Sequence, residues 1–236
     1  MKTFLSTVVT LLWLLLPAIM GCNILSSLDH IDHYQQPQRN SVQVSTPTGK
    51  GSGVLIQRNY DGVKVSYVLT AAHVVDFPFI TVSREIRKDG FVVAKQECRA
   101  QIIAQSVKQD LAILQLDVVW EGNTWFNFQV QEVGTEVIHV GNTLGRPNST
   151  SRGIISQTDR TLDDVDFDQT TVVALPGSSG GGVFLPDGDC IGIVVRAASS
   201  GFNLIIPSRR ILIWSKSVGL ENLIDQSAPV THHEDK

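Results

Sequence analysis

Cysteine is scarce in this chain. Three occur in 236 residues, at positions 22, 98 and 190, so no dense set of bridges is available to hold a small fold that lacks a core. Neither their spacing nor their local sequence suggests a stapled scaffold, and Cys98 and Cys190 read as separate buried thiols. Positive charge is also short. Nineteen Lys and Arg against 23 Asp and Glu give a net charge of −4, which removes the basic footprint a nucleic-acid partner needs. Long helical patterns are nearly missing, and only one long uncharged apolar run occurs. With 42% hydrophobic and 18% charged residues, the chain is ordinary globular material, enough for one large all-β domain or two small subdomains.

The single long apolar run is "FLSTVVTLLWLLLPAIM", residues 4–20, behind a short basic start at Lys2. It suits a signal peptide and is near the lower limit for a membrane span. Its end, "AIMGC", resembles a bacterial lipobox with Cys22 as the acylated residue. A lipid anchor on Cys22, a cleaved secretion signal and a retained helix anchor all remain open, and each carries the rest of the chain out of the cytoplasm. Residues 23–40 read as a polar tether.

From residue 41 on, short runs rich in Val, Ile and Thr alternate with turn residues. The first group is "SVQVST", "GVLIQR", "KVSYVLT", "FITVS", "FVVAK", "CRAQIIAQ" and "LAILQLD". After "WEGNTWFNFQ" come "EVIHVG", "GIISQT", "TTVVAL", "GGVFL", "CIGIVVRA" and "NLIIP". Strands at this spacing predict an all-β sandwich or barrel architecture, in two groups divided near residues 120–128. Only "SRRILIWSKSVGL" reads as helix, and residues from 221 on read as a polar tail.

The stretch "ALPGSSGGGVF" packs two serines among four glycines and a proline. Composition alone fits a linker or a sharp turn whose amides face a reacting oxygen, but apolar runs on both sides favour the turn. Nucleophilic serine chemistry needs a hydroxyl, a base, a group that orients the base, and donors for the oxyanion. His73 in "LTAAHVV", Asp110 in "KQDLAIL" and Ser179 in "PGSSGGG" supply the first three in the order His, Asp, Ser. Each alone would be read as structural; their joint occurrence points to catalysis.

"TAAHVV", "DLAIL", "VGNTLGRPNSTSRGIIS" and "PGSSGGGVFLPDGDCIGI" together resemble the trypsin-like peptidases of the HtrA/Deg type, over roughly residues 41–214. "GSGVLI" and "NLIIPSRRI" match further segments of that family. The resemblance implies two six-stranded antiparallel barrels of chymotrypsin-like fold, about 41–120 and 129–206, with a C-terminal helix over about 207–219. His73 and Asp110 would come from the first barrel and Ser179 from the second, with the active site in the cleft between them. The amides of Gly177 and Ser179 would form the oxyanion hole. The implied activity is a serine endopeptidase acting on unfolded or flexible polypeptide, without cofactor or metal. A module of the same fold that only binds peptide or scaffolds an assembly is the alternative.

Departures from the family pattern bear on regulation and specificity. Ser178 stands where relatives carry Asn and trypsin an Asp that pairs with a newly cut amino terminus, so zymogen activation of that kind is not expected. Leu175 replaces a common Asn, which leaves open what supports the oxyanion loop. Too few residues follow the last helical pattern for a PDZ domain. The floor of the S1 pocket aligns with Val173, and Val195 and Ala197 lie on its wall strand. Val194 stands where glutamate-specific relatives have a histidine, and Arg196 reads as solvated. Small or medium aliphatic P1 residues are therefore expected.

Other signals have simpler readings. "LDDVDFD" lacks the glycine and terminal glutamate of a calcium loop and reads as a solvated loop. "DHIDH" and "HHEDK" have zinc-ligand residue types but sit near the ends, where mobile segments are expected. The sequon at Asn148 matters only in a glycosylating host.

Overall fold

The computed structural model describes residues 34–227 apart from 89 and 200, with the side chains of 198 and 199 also outside the description. Cys22, the apolar run at 4–20, "DHIDH" and "HHEDK" therefore lie outside the described residues. By contact density the chain divides at Gln36/Pro37, and all that follows about the barrels concerns the second unit.

Twelve antiparallel strands close into two six-stranded barrels. The first comprises β1 (Ser41–Thr46), β2 (Gly49–Tyr60), β3 (Val63–Thr70), β4 (Ile80–Lys88), β5 (Phe91–Ser106) and β6 (Leu111–Leu116), in the order β1-β2-β3-β6-β5-β4. The second comprises β7 (Glu136–Gly141), β8 (Ser149–Leu162), β9 (Val165–Thr170), β10 (Gly182–Phe184), β11 (Cys190–Ser199) and β12 (Phe202–Pro207), in the order β10-β11-β12-β9-β8-β7. Alternate apolar side chains supply the inward face. In β1 the valines at 42 and 44 join a core with Leu55, Val68, Val82 and Leu114, as the alternation of side chains along a strand allows, and the intervening Ser41 and Gln43 are buried too. Val137, Ile155, Val183, Val194 and Ile205 form the corresponding core of the second barrel. The β2–β3 hairpin turns on Asp61 and Gly62, both at positive φ, with Asn59 Oδ1 accepting the Gly62 amide at 2.8 Å. That is the two-residue primed turn that suits strand twist.

Among the described residues, helix is confined to α1 (residues 34–40, where the sequence reads as polar tether), α2 (Ser208–Ser217), α3 (Glu221–Ile224) and short 3-10 turns. Three further features differ from the sequence reading. "FVVAK" and "CRAQIIAQ" are one long strand, β5. The "VDFD" of "LDDVDFD", read as a solvated loop, lies in β9, and the "VVAL" of "TTVVAL" is not strand. In β9, Val165 and Phe167 are buried, and the equally buried Asp168 accepts two hydrogen bonds of 2.7 and 2.8 Å from Arg209 of α2. A neutralising partner 41 residues away is what lets an acidic strand sit inside.

The third difference is the supposed tail. Residues 221–224 form α3, with Asn222, Leu223 and Ile224 buried. The Arg58 guanidinium of β2 donates to the Asn222 carbonyl at 2.7 Å and to the Leu223 carbonyl, and burial pulls its pKa down to about 10. Cys98 and Cys190 are free and buried, and burial pushes both thiols up to about 12, which leaves them inert as nucleophiles. Among the described residues no helix is long and apolar enough to cross a membrane.

Candidate active site

His73 sits in a 3-10 turn, Ala72–Val74, directly after β3. Asp110 immediately precedes β6 and adopts φ +54, a left-handed conformation that Asp tolerates better than most residues. That twist aims its carboxylate at the histidine. Asp110 Oδ2 lies 2.8 Å and Oδ1 3.0 Å from His73 Nδ1, and Oδ1 also accepts the His73 backbone amide at 3.0 Å. The ring is thereby fixed with Nδ1 as donor and Nε2 on the edge away from Asp110. The hydrogen bond to Asp110 raises the His73 pKa above its usual value, partly opposed by burial, while Arg196 acts weakly in the lowering direction.

Ser179 lies in the turn before β10. Leu175-Pro176-Gly177-Ser178 is a hydrogen-bonded β-turn, with the Ser178 amide donating to the Leu175 carbonyl at 2.9 Å and Gly177 at φ +95. Proline second and a positive-φ glycine third are what a type II turn requires. A Cβ on Gly177 would also fall well inside van der Waals contact of the Asn142 carbonyl oxygen.

The carbonyls of this turn are all held. Pro176 O accepts the Leu144 amide at 2.8 Å, Ser178 O accepts the Gly181 amide at 2.9 Å, and Ser179 O accepts the Ser52 amide at 2.7 Å. In a trans peptide the N–H points opposite to the C=O. Fixing Pro176 O and Ser178 O therefore turns the amides of Gly177 and Ser179 away from those partners. Among the described residues, neither amide donates to a backbone carbonyl. The turn that carries Ser179 thus holds two donors without a backbone acceptor, as an oxyanion site demands.

The structure brings His73 and Asp110 into direct contact. No hydrogen bond joins the Ser179 hydroxyl to the His73 ring among the described residues, a contact that often tightens only with substrate bound. Val173 is 43% exposed and Val195 4%, while Ala197 is exposed. Arg196 is not simply solvated: it pairs with Asp163 at 3.4 Å and lies over the Phe167 ring at 5.3 Å from its centroid. Sequence reasoning missed Ser52, Asn142, Thr143 and Leu144, which hold the nucleophile turn. Their segments, "GSGVLI" and "VGNTLG", carried a family signal but no indication of role. No group of three or more His, Cys, Asp or Glu side chains able to hold a metal occurs among the described residues.

Two barrels with a paired His and Asp on one and a glycine-framed serine on the other define a trypsin-like peptidase architecture. The chain belongs to that family: the signature of the trypsin-like peptidase domain matches residues 51–193. It is similar to a protein of Halomonas elongata named a probable periplasmic serine endoprotease of DegP-like type, 36% identical over 148 residues, 61% of this chain and 28% of that protein. A relative of the same name from Marinomonas is 31% identical over 188 residues, 74% of this chain and 35% of its own length. The chain thus spans about a third of the curated relatives it matches. Among solved structures, a serine endoprotease from Yersinia pestis superposes with TM-score 0.66 at 22% identity, over 80% of this chain and 66% of that one. A Mycobacterium tuberculosis protein in an inactive form gives 0.65 at 17% identity, over 84% and 93%. At such identities these two speak for the fold.

Proposed function

We propose that this chain is an exported serine endopeptidase that cleaves unfolded or flexible polypeptide through a His73–Asp110–Ser179 triad. The observation that carries the reading is the pairing of His73 Nδ1 with Asp110, together with the two unspent amides at Gly177 and Ser179. Ser179 Oγ attacks the scissile carbonyl carbon as its proton passes to His73 Nε2. Asp110 holds the tautomer and stabilises the imidazolium without itself taking the proton. The Gly177 and Ser179 amides receive the negative oxygen. His73 then protonates the leaving amine as the C–N bond breaks, and water, deprotonated by the same ring, hydrolyses the acyl-enzyme. These groups suffice for the reaction without a cofactor.

Val173, at the expected S1 floor, offers no counter-ion to a P1 Lys or Arg, and an unpaired buried charge is costly. With Val195 and Ala197 on the wall, small and medium aliphatic P1 residues are favoured. One methylene there is worth about 1–3 kcal/mol, so selection among aliphatics is modest. The apolar run at 4–20, the lipobox-like "AIMGC" and the periplasmic naming of the relatives support export, with Cys22 as a lipid anchor. The sequence expectation of a domain over 41–220 is extended here to the end of α3, because Arg58 binds that helix to the first barrel.

Digestion of unfolded casein by the mature protein, with cut sites mapped by mass spectrometry, tests the reading. Cuts after Val, Ala, Ile or Leu that vanish in Ser179→Ala are expected. Casein bound but left intact would instead establish a peptide-binding module, and cuts chiefly after Lys or Arg would displace Val173 from the S1 floor. A lipid-modified amino-terminal Cys22 in membrane extracts is expected, and a soluble unmodified product would remove the anchor.

A further inference from the structure

Ser52 touches both of the residues whose amides would receive the oxyanion. It lies on β2 of the first barrel and is fully buried. Its backbone amide donates to Ser179 O at 2.7 Å, and its hydroxyl donates to Gly177 O, also at 2.7 Å. The same hydroxyl accepts the Asn142 backbone amide at 2.7 Å and the Asn142 side-chain amide at 3.2 Å. One donor and two lone pairs are all a serine hydroxyl has, so it is saturated and has one orientation. Its own carbonyl is pinned by Thr70 Oγ1 at 2.7 Å, at the end of the strand that leads into His73.

Asn142 follows β7 of the second barrel, and its side chain crosses back to the Val42 carbonyl of β1 at 2.8 Å. The next residues complete the cradle. Thr143 Oγ1 lies 2.9 Å from Ser178 Oγ, which also accepts the Leu175 amide at 3.2 Å, and the Leu144 amide holds Pro176 O. Ser178 is 1% exposed and uncharged, so a new ammonium terminus would find no carboxylate there. Everything this position needs is supplied within the chain by neutral hydrogen bonds.

We propose that Ser52, backed by Asn142 and Thr143, is a positioning residue that locks the oxyanion loop in its working conformation and registers the His73-bearing barrel against Ser179. The proposal rests on the peptidase reading above. A hydroxyl that fixes the Gly177 carbonyl sets the plane of the next peptide, while Leu144 sets the plane of the one before. Without the Ser52 bond, the part-buried Gly177 carbonyl loses its partner, and the 177–178 peptide that carries it is free to turn, changing the torsions at Gly177 and Ser178 on which both oxyanion amides hang. Such rotation would move the very amides that stabilise the transition state. The lock is built into the fold, so activity should require neither amino-terminal processing at this site nor a regulatory domain.

The test compares Ser52→Ala and Thr143→Val with the wild type, each normalised to folded protein. The substrate is an aliphatic-P1 peptide ester. A trifluoromethyl ketone of the same peptide forms a hemiketal with Ser179 whose oxygen occupies the oxyanion position, and the parent peptide without that group reports ground-state binding. For Ser52→Ala, kcat should fall about tenfold or more with KM little changed. Affinity for the ketone should fall by the same factor, while parent-peptide affinity and the acid limb of the pH profile stay put. Thr143→Val should show the same selective loss to a smaller degree, and it decides the matter if Ser52→Ala does not fold. Ketone affinity unchanged in the folded variants, or lost in equal measure with parent-peptide affinity, would overturn the proposal. Failure of the wild type itself to react with the ketone would instead count against the peptidase reading.

Discussion

Acid should loosen this fold through one residue, His139, in β7 behind the nucleophile turn. Its ring is completely buried, between Gly141 and Gly181. Nδ1 lies 3.0 Å from the Gly182 carbonyl and donates to it, while Nε2 has no hydrogen-bond partner. A second proton would have to sit on that unpartnered nitrogen, so burial lowers the pKa from 6.5 to about 4, only partly offset by the Gly182 bond. The unfolded chain, with an ordinary histidine, binds the proton first. Between pH 6.5 and 4 the unfolded state therefore holds more protons, and stability falls as pH falls. The contribution is fully present above the unfolded value. A shift of this size is worth about 3 kcal/mol between pH 7 and 4. Carboxylates also titrate in that window, so the assay is a difference: urea unfolding of wild type and His139→Asn at pH 7, 5.5 and 4. The Asn amide can still reach Gly182, and its packing cost cancels in the comparison of slopes. The wild type should lose about 3 kcal/mol more than the variant. Equal losses would rule out His139 as a source of the acid sensitivity.

Asp110→Asn should leave the fold intact and cut kcat by roughly 10⁴, read with a chromogenic peptide ester. The rate of the wild type should fall as pH drops through a His73 pKa above the ordinary 6.5, since the base must be neutral and Asp110 favours its charged form; in Asp110→Asn that limb should move to lower pH. Gly177→Ala should lower kcat by about 100-fold, because φ +95 and the Asn142 carbonyl leave no room for a methyl group; circular dichroism should show an unchanged fold. Arg209→Ala should destabilise the chain by about 3 kcal/mol or more, since Asp168 at 2% side-chain exposure would lose its cation; denaturant midpoints measure the loss.

The barrels were legible because short Val- and Ile-rich runs such as "SVQVST" and "EVIHVG" recur at regular spacing between turn residues. The paired His73 and Asp110 were legible because each abuts a strand end, where a functional side chain can be held rigidly. β9 was not legible: "VDFDQT" looks solvated until Arg209, distant in sequence, neutralises Asp168. The "VVAL" of "TTVVAL" misled in the opposite sense, for Val172 and Ala174 are apolar to cover the second core rather than to pair in a sheet. α3 was hidden because "ENLI" is too short to show a period, and its place depends on Arg58. The hydrogen bonds around Ser52 and Asn142 could not be read at all. They join residues 90 and 125 positions apart, and serine and asparagine in glycine-rich loops ordinarily signal only a turn.

In the proposed mechanism Ser179 is an activated nucleophile. Labelling of the folded protein with a fluorophosphonate probe, followed by peptide mapping, tests it most directly. A single phosphonyl group is expected on Ser179, formed faster as pH rises through the His73 pKa and absent in Ser179→Ala. Absence of labelling in folded wild-type protein, or equal labelling of Ser179→Ala, would contradict it.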